Sequence, residues 1–116
     1  SGGSDFPAGS ANPFHSLHAA VTLQDRDGNP LGDWYPEARF SREQALALFT
    51  VGAAYASHLE DFTGKLAPGY AADFILVRDD YFEVPARNIW RNEVYATVVG
   101  GRVVFNTENS PLKARR

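Results

Sequence analysis

Apolar positions along the chain change their period near the middle, and the change separates helical sequence from strand sequence. Phe14, Leu17 and Val21 recur three and four residues apart behind Asn12-Pro13. Asparagine can accept from the free amides of a first turn and proline is preset for it, so this spacing predicts an amphipathic helix over 13–23. Ser41 with Gln44 makes a capping-box pair, and Ala45, Leu48, Phe49, Gly52, Ala53 and Ala56 then form one apolar face with small residues that permit close packing. A helix over 42–58 follows. Beyond it, Gly64-Lys65-Leu66-Ala67-Pro68-Gly69 reads as a turn, and Ala72-Asp73-Phe74-Ile75-Leu76-Val77 as a buried strand over 73–78, broken by Asp79-Asp80. Pro85 to Asn88 suits one turn of helix. Val94–Val99 and Arg102–Phe105 flank Gly100-Gly101, a hairpin pattern.

Two stretches lack periodicity. Residues 25–40 are rich in turn formers and longer than an ordinary connection, and Trp34, Tyr35 and Phe40 within them favour a packed or functional loop over a linker. Residues 107–116, with Lys113, Arg115 and Arg116, read as a flexible tail. No internal repeat is present. At 116 residues the chain suits one domain, and 44% hydrophobic with 13% aromatic residues is a globular composition. Absence of cysteine excludes disulfides, thiolate metal sites and a cysteine nucleophile. A net charge of -3 with scattered Lys and Arg argues against a nucleic-acid partner. No apolar run approaches the ~20 residues of a membrane span and no signal peptide is visible, so a cytoplasmic location is expected. The chain begins at Ser1 without Met, which leads us to expect a segment of a longer or processed protein.

The sharpest candidate for chemistry is Asp5, in Gly2-Gly3-Ser4-Asp5-Phe6-Pro7. Glycines let backbone approach a ligand and proline removes a donor, which suits a carboxylate presented at a strand end. By itself the motif favours a turn former or helix cap. His15 and His18 lie three apart on the first helix, a spacing some zinc sites use, but no third ligand is evident and both are read as rim or interface residues. His58 is read as a helix-end residue favoured by the dipole. Asp25-x-Asp27-x-Asn29 begins like a calcium loop but has Pro30 where glycine is needed and Pro36 where a glutamate is needed. Gly64-Lys65 lacks the upstream glycine of a phosphate loop. Asp73 is read as a turn or strand cap. Trp34, Tyr35 and Phe40 suit either a substrate cavity or core packing, and packing is preferred.

Taken together, Gly3-Ser4-Asp5-Phe6-Pro7, Ser41-Arg42-Glu43-Gln44-Ala45-Leu46 with Thr50 to Ala56, Gly64 to Gly69 with Ala72-Asp73-Phe74, and Ala96 to Val104 resemble the carboxy-terminal part of the amidohydrolase superfamily. Trp34-Tyr35-Pro36 resembles a loop of the N-substituted formamide deformylase-like branch. The match covers residues 1 to about 106. It implies an α+β fragment: the end of a TIM-type (β/α)8 barrel, with the strand-eight tip and helices over 1–58, then the carboxy-terminal strands of a small composite β-sandwich over 59–106. It also implies that Asp5 is both a metal-contacting and a catalytic carboxylate, moving a proton between the attacking water and the leaving nitrogen. The family's remaining ligands, a His-x-His pair and later histidines, have no counterpart here. The expected parent is thus a metal-dependent hydrolase, with zinc as the expected divalent metal, acting on a small-molecule amide-type substrate. The isolated segment is expected to bind no metal and to be inactive, and its partner is the missing amino-terminal part of the same protein. His15 and Trp34 are candidate substrate contacts in the complete enzyme, and a homo-oligomer is allowed. The competing reading is a non-catalytic structural or oligomerisation module in which Asp5 is a turn residue.

Overall fold

Helix α1 (Pro13–Thr22) starts where its cap requires: the Asn12 side chain accepts from the Phe14 amide and Pro13 occupies the first turn. It stops at Leu23, whose amide still bonds the Ala19 carbonyl but whose left-handed backbone (φ 55°) turns the following chain out of the helix. The computed structural model describes residues 1–32 and 34–112. Its remaining elements are a short 3-10 turn (Pro36–Ala38), α2 (Arg42–Phe49), α3 (Val51–Ala56), β1 (Phe74–Val77), a 3-10 helix (Ala86–Arg91), β2 (Val94–Val99) and β3 (Arg102–Asn106).

The helix expected over 42–58 is two helices. Its start is as read, with Ser41 and Gln44 closing both bonds of the capping box. At Thr50 the backbone leaves the helical region (φ -122°, ψ -97°). The Thr50 hydroxyl bonds back to the Leu46 carbonyl (2.9 Å), and the Leu48 carbonyl accepts from Gly2 at 2.9 Å. An outside donor thus takes a carbonyl that an unbroken helix would use for residue 52. The apolar face turns with the break: Ala45 and Ala54 are buried, whereas Ala56 is exposed.

Three antiparallel strands lie in the order β1-β2-β3. Phe74, Leu76, Ala96 and Val98 share one face through the pairs Phe74↔Val98 and Leu76↔Ala96. The hairpin is as expected, because Gly100 (φ 55°) and Gly101 (φ 76°) hold the consecutive positive angles its turn needs. The strand expected to be buried is not: Ile75 is 44% exposed on the opposite face of β1. Every residue of β3 is exposed.

The core therefore sits on the helical side. Phe14 and Leu17 of α1, Ala45 of α2, Tyr81 and Ile89 form it, with Val77, Val84 and Val94 packed around. Arg42 ties α2 to the turn after β1 by donating to the Tyr81 and Val84 carbonyls, while the Tyr81 hydroxyl donates to the Arg42 carbonyl at 3.1 Å. Burial pushes the Tyr81 hydroxyl pKa up. Buried Asn92 donates to Asp79 O (2.9 Å) and accepts from the amides of Asp79 (3.1 Å) and Glu93 (3.0 Å), locking the end of β1 to the start of β2. Residues 107–112 turn back on β3, with Asn106 donating to Leu112 O at 2.8 Å, while Lys113, Arg115 and Arg116 lie outside the described residues. Among the described residues, no helix is long and apolar enough to cross a membrane.

Candidate active site

Asp5 sits on a turn rather than in a strand. No strand forms over residues 1–4, where pairing would require a neighbouring strand that the described residues do not place there. The chain start is held instead by the Gly2–Leu48 hydrogen bond, and a side chain at Gly2 would run into the Phe49 ring at 2.8 Å. Asp5 then takes a left-handed conformation (φ 51°), one that aspartate tolerates well. Its carbonyl accepts from Ala8 (2.8 Å) and Gly9 (3.3 Å). Gly9 is required to close this turn, because a Cβ there would lie 2.1 Å from Ser4 O. The result is an exposed carboxylate on a braced backbone.

The two histidines of α1 part company. His15 is partly buried with its ring edge-on to Trp90, centroids 6.3 Å apart. Burial first, and then Arg26 and His18 nearby, hold its pKa below the ordinary value, so His15 is neutral at neutral pH. His18 is buried, not a rim residue, and its ring nitrogens face Ala86 O (Nδ1, 3.1 Å) and Asp25 O (Nε2, 3.0 Å). The sequence carried the signal: His18 is four residues after Phe14 and next to Leu17, on the apolar face of the same helix. Among the described residues, no group of three His, Asp or Glu could hold a metal ion.

Packing was the wrong reading for the loop aromatics. Trp34 and Tyr35 are 57% and 58% exposed and stack edge to face at 5.1 Å, and Phe40 is 42% exposed. His58 follows α3 in a left-handed conformation, its amide on Tyr55 O at 3.1 Å. The Asp25 carboxylate caps its own loop, accepting from the Asp27 and Asn29 amides at 2.9 Å each. Asp73 is the turn residue it was expected to be: one carboxylate oxygen accepts from the Gly100 amide (2.7 Å) and the other from the Thr63 hydroxyl (2.9 Å). Those bonds, the Gly100 amide foremost, hold its pKa below the usual carboxylate range.

The match to the amidohydrolase family runs over residues 1–105. The chain belongs to that family. Among curated relatives of this amidohydrolase chain, Protein LONG AFTER FAR-RED 3 of Arabidopsis thaliana is 34% identical over 105 residues, covering 89% of this chain and 17% of the relative. An imidazolonepropionase of Kosmotoga olearia is 34% identical over 107 residues, covering 89% and 23%. A 5-methylthioadenosine/S-adenosylhomocysteine deaminase of Symbiobacterium thermophilum is 29% identical over 112 residues, covering 84% and 24%. The chain thus spans about a fifth of the length of the curated relatives it matches. No solved structure matches it.

Proposed function

We propose that this chain is the carboxy-terminal segment of a metal-dependent amidohydrolase that hydrolyses a non-peptide carbon–nitrogen bond in a small amide-type substrate, with Asp5 carrying the proton. The formamide deformylase-like branch is our finer assignment, resting on Trp34-Tyr35-Pro36. Residues 1–58 would belong to the barrel, 59–106 to the composite sandwich, and 107–116 to a tail. The observation that carries the functional reading is the family match beginning at residue 1, which takes in Asp5, together with the exposure of its carboxylate on a backbone fixed by Gly2 and Gly9.

The residues present fit a metal in part. Asp5 offers one hard oxygen ligand of the three or four that zinc usually takes from protein, and the others would come from the remainder of the parent. A bound zinc would supply water whose pKa is lowered to about 7. Asp5 accepts a proton from the attacking water as its oxygen bonds to the substrate carbon, then returns it to the nitrogen as the carbon–nitrogen bond breaks. His15, neutral beside Trp90, and exposed Trp34 are the side chains we assign to substrate contact. The segment alone, with one ligand, would be inactive.

Asp5→Asn in the full-length parent tests this. The amide keeps the carboxylate's shape but accepts no proton at neutral pH, so turnover should fall by about 10² to 10⁴ while substrate binding changes little. Wild-type turnover in the metal-loaded variant would return Asp5 to a turn residue and favour the structural-module reading.

A further inference from the structure

Two substitute bonds hold the break between α2 and α3 open. An unbroken helix would satisfy the Leu46 carbonyl with the amide of residue 50 and the Leu48 carbonyl with that of residue 52. Here the Thr50 hydroxyl takes Leu46 O at 2.9 Å, the Thr50 amide moves to Ala47 O at 3.4 Å, and the Gly2 amide takes Leu48 O at 2.9 Å. Gly2 lies three residues before Asp5. We propose that the break is the seat that places the Asp5 carboxylate, with Thr50 as its positioning residue. This rests on the reading in which Asp5 carries the proton.

The seat is tightly packed. A Cβ at Gly2 would meet the Phe49 ring at 2.8 Å, and one at Gly52 would lie 2.9 Å from Ala47 O and 4.0 Å from Ser1 Cα, so the chain start fits into the break itself. Gly64 (φ 97°) also abuts it, since a Cβ there would come within 3.2 Å of Thr50 O. The adjoining Thr63 hydroxyl bonds Asp73, which in turn accepts from the Gly100 amide, so the break is tied to the hairpin turn. At about 3.5 Å per residue, the three steps from Gly2 keep the Asp5 backbone within about 11 Å of this anchor. Only Gly3 separates it from the turn that Ser4, Asp5 and Gly9 close. Removing the Thr50 hydroxyl leaves the Leu46 carbonyl without its donor, and the least costly repair is the ordinary helical bond from the amide of residue 50. That repair carries the amide of residue 52 to Leu48 O, displaces Gly2 and moves Asp5.

Thr50→Val keeps the branched shape and loses the hydroxyl, whereas Thr50→Ser keeps the hydroxyl. In this chain, amide hydrogen exchange in Thr50→Val should speed about tenfold or more at Gly2 and slow by a similar factor at Gly52, while Thr50→Ser behaves as wild type. General loosening would speed both amides, so unchanged or parallel rates overturn the seat. In the metal-loaded parent, Thr50→Val should lower kcat by about 10- to 100-fold with KM within about twofold, because misplacing a reacting group by about 1 Å costs that much, and Thr50→Ser should restore it. A wild-type kcat in Thr50→Val beside an inactive Asp5→Asn overturns the seat and leaves the hydrolytic reading standing. Wild-type turnover in Asp5→Asn overturns the hydrolytic reading and the positioning role of Thr50 with it. Should Thr50→Val not fold, Gly2→Ala takes its place by driving a methyl group into the Phe49 ring, and an undiminished kcat there rejects the proposal.

Discussion

Ile89 and Val104 are both β-branched aliphatic residues, yet Ile89 is fully buried while Val104 is 60% exposed. The difference divides the molecule. On the helical side α1, α2 and the 86–91 helix close over Ile89, and buried Asn92 and His18 have partners for their polar atoms. On the sheet side β3 carries Val103, Val104 and Phe105 at 52%, 60% and 49% exposure. Between the two runs an apolar groove of 850 Å³ lined by Leu46, Phe49, Ala53, Phe74, Tyr81 and Val98 among others. Apolar surface of this extent marks contact with something else, and under our proposal the rest of the parent polypeptide meets it. The helical half has a closed core, with Val77 and Val94 of the strands packed against it, whereas the sheet half carries apolar surface that this chain does not cover.

The largest expected effect comes from the covered side. Ile89→Ala should destabilise the protein by about 2–5 kcal/mol, because its neighbours come from several elements that cannot all collapse into the cavity. Denaturant unfolding measures it, and a loss near that of a surface substitution would show that the helical core is not what holds the fold. Asn92→Ala should cost about 1–3 kcal/mol, since the Asp79 amide and carbonyl would lose their partner at a buried site.

That division was only partly legible in the sequence. Asn12, Ser41 with Gln44, and Gly100-Gly101 are local devices whose geometry depends on the residues themselves, and all three form as read. The break at Thr50 was not legible, because its cause includes a donor from Gly2, distant in sequence. A run such as Phe74-Ile75-Leu76-Val77 states that a strand wants burial, not which part of a polypeptide provides it, and here Ile75 stays 44% exposed. Arg42 shows the same limit, since its carbonyl partners lie 39 and 42 residues away. Of the candidate site, Asp5 was recognisable only through its neighbours in sequence.

A titration separates the two halves at smaller cost. The Asp73 carboxylate binds the Gly100 turn, and its depressed pKa means that it favours the fold where it is ionised. That contribution is present above the ordinary carboxylate pKa and is lost as pH falls through the lower folded value. Exchange protection of the Gly100 amide should therefore fall in acid for wild type and lose that pH step in Asp73→Asn, while the amides around Ile89 are unaffected. A coincident acid transition in both halves would mean that the hairpin and the helical core are one cooperative unit.

The smallest effect is the most discriminating. Phe105→Thr keeps strand propensity and removes an aromatic ring that is 49% exposed, so in this chain the stability change should stay within about 0.5 kcal/mol. In the full-length parent the same substitution should cost about 3 kcal/mol or more if another part of the polypeptide covers β3, because the ring would then leave a packed interface. Comparing the two unfolding midpoints isolates the cover, since the local strand is identical in both. Equal small changes would mean that β3 faces water in the parent as well, and the sheet side would need another explanation for its apolar surface.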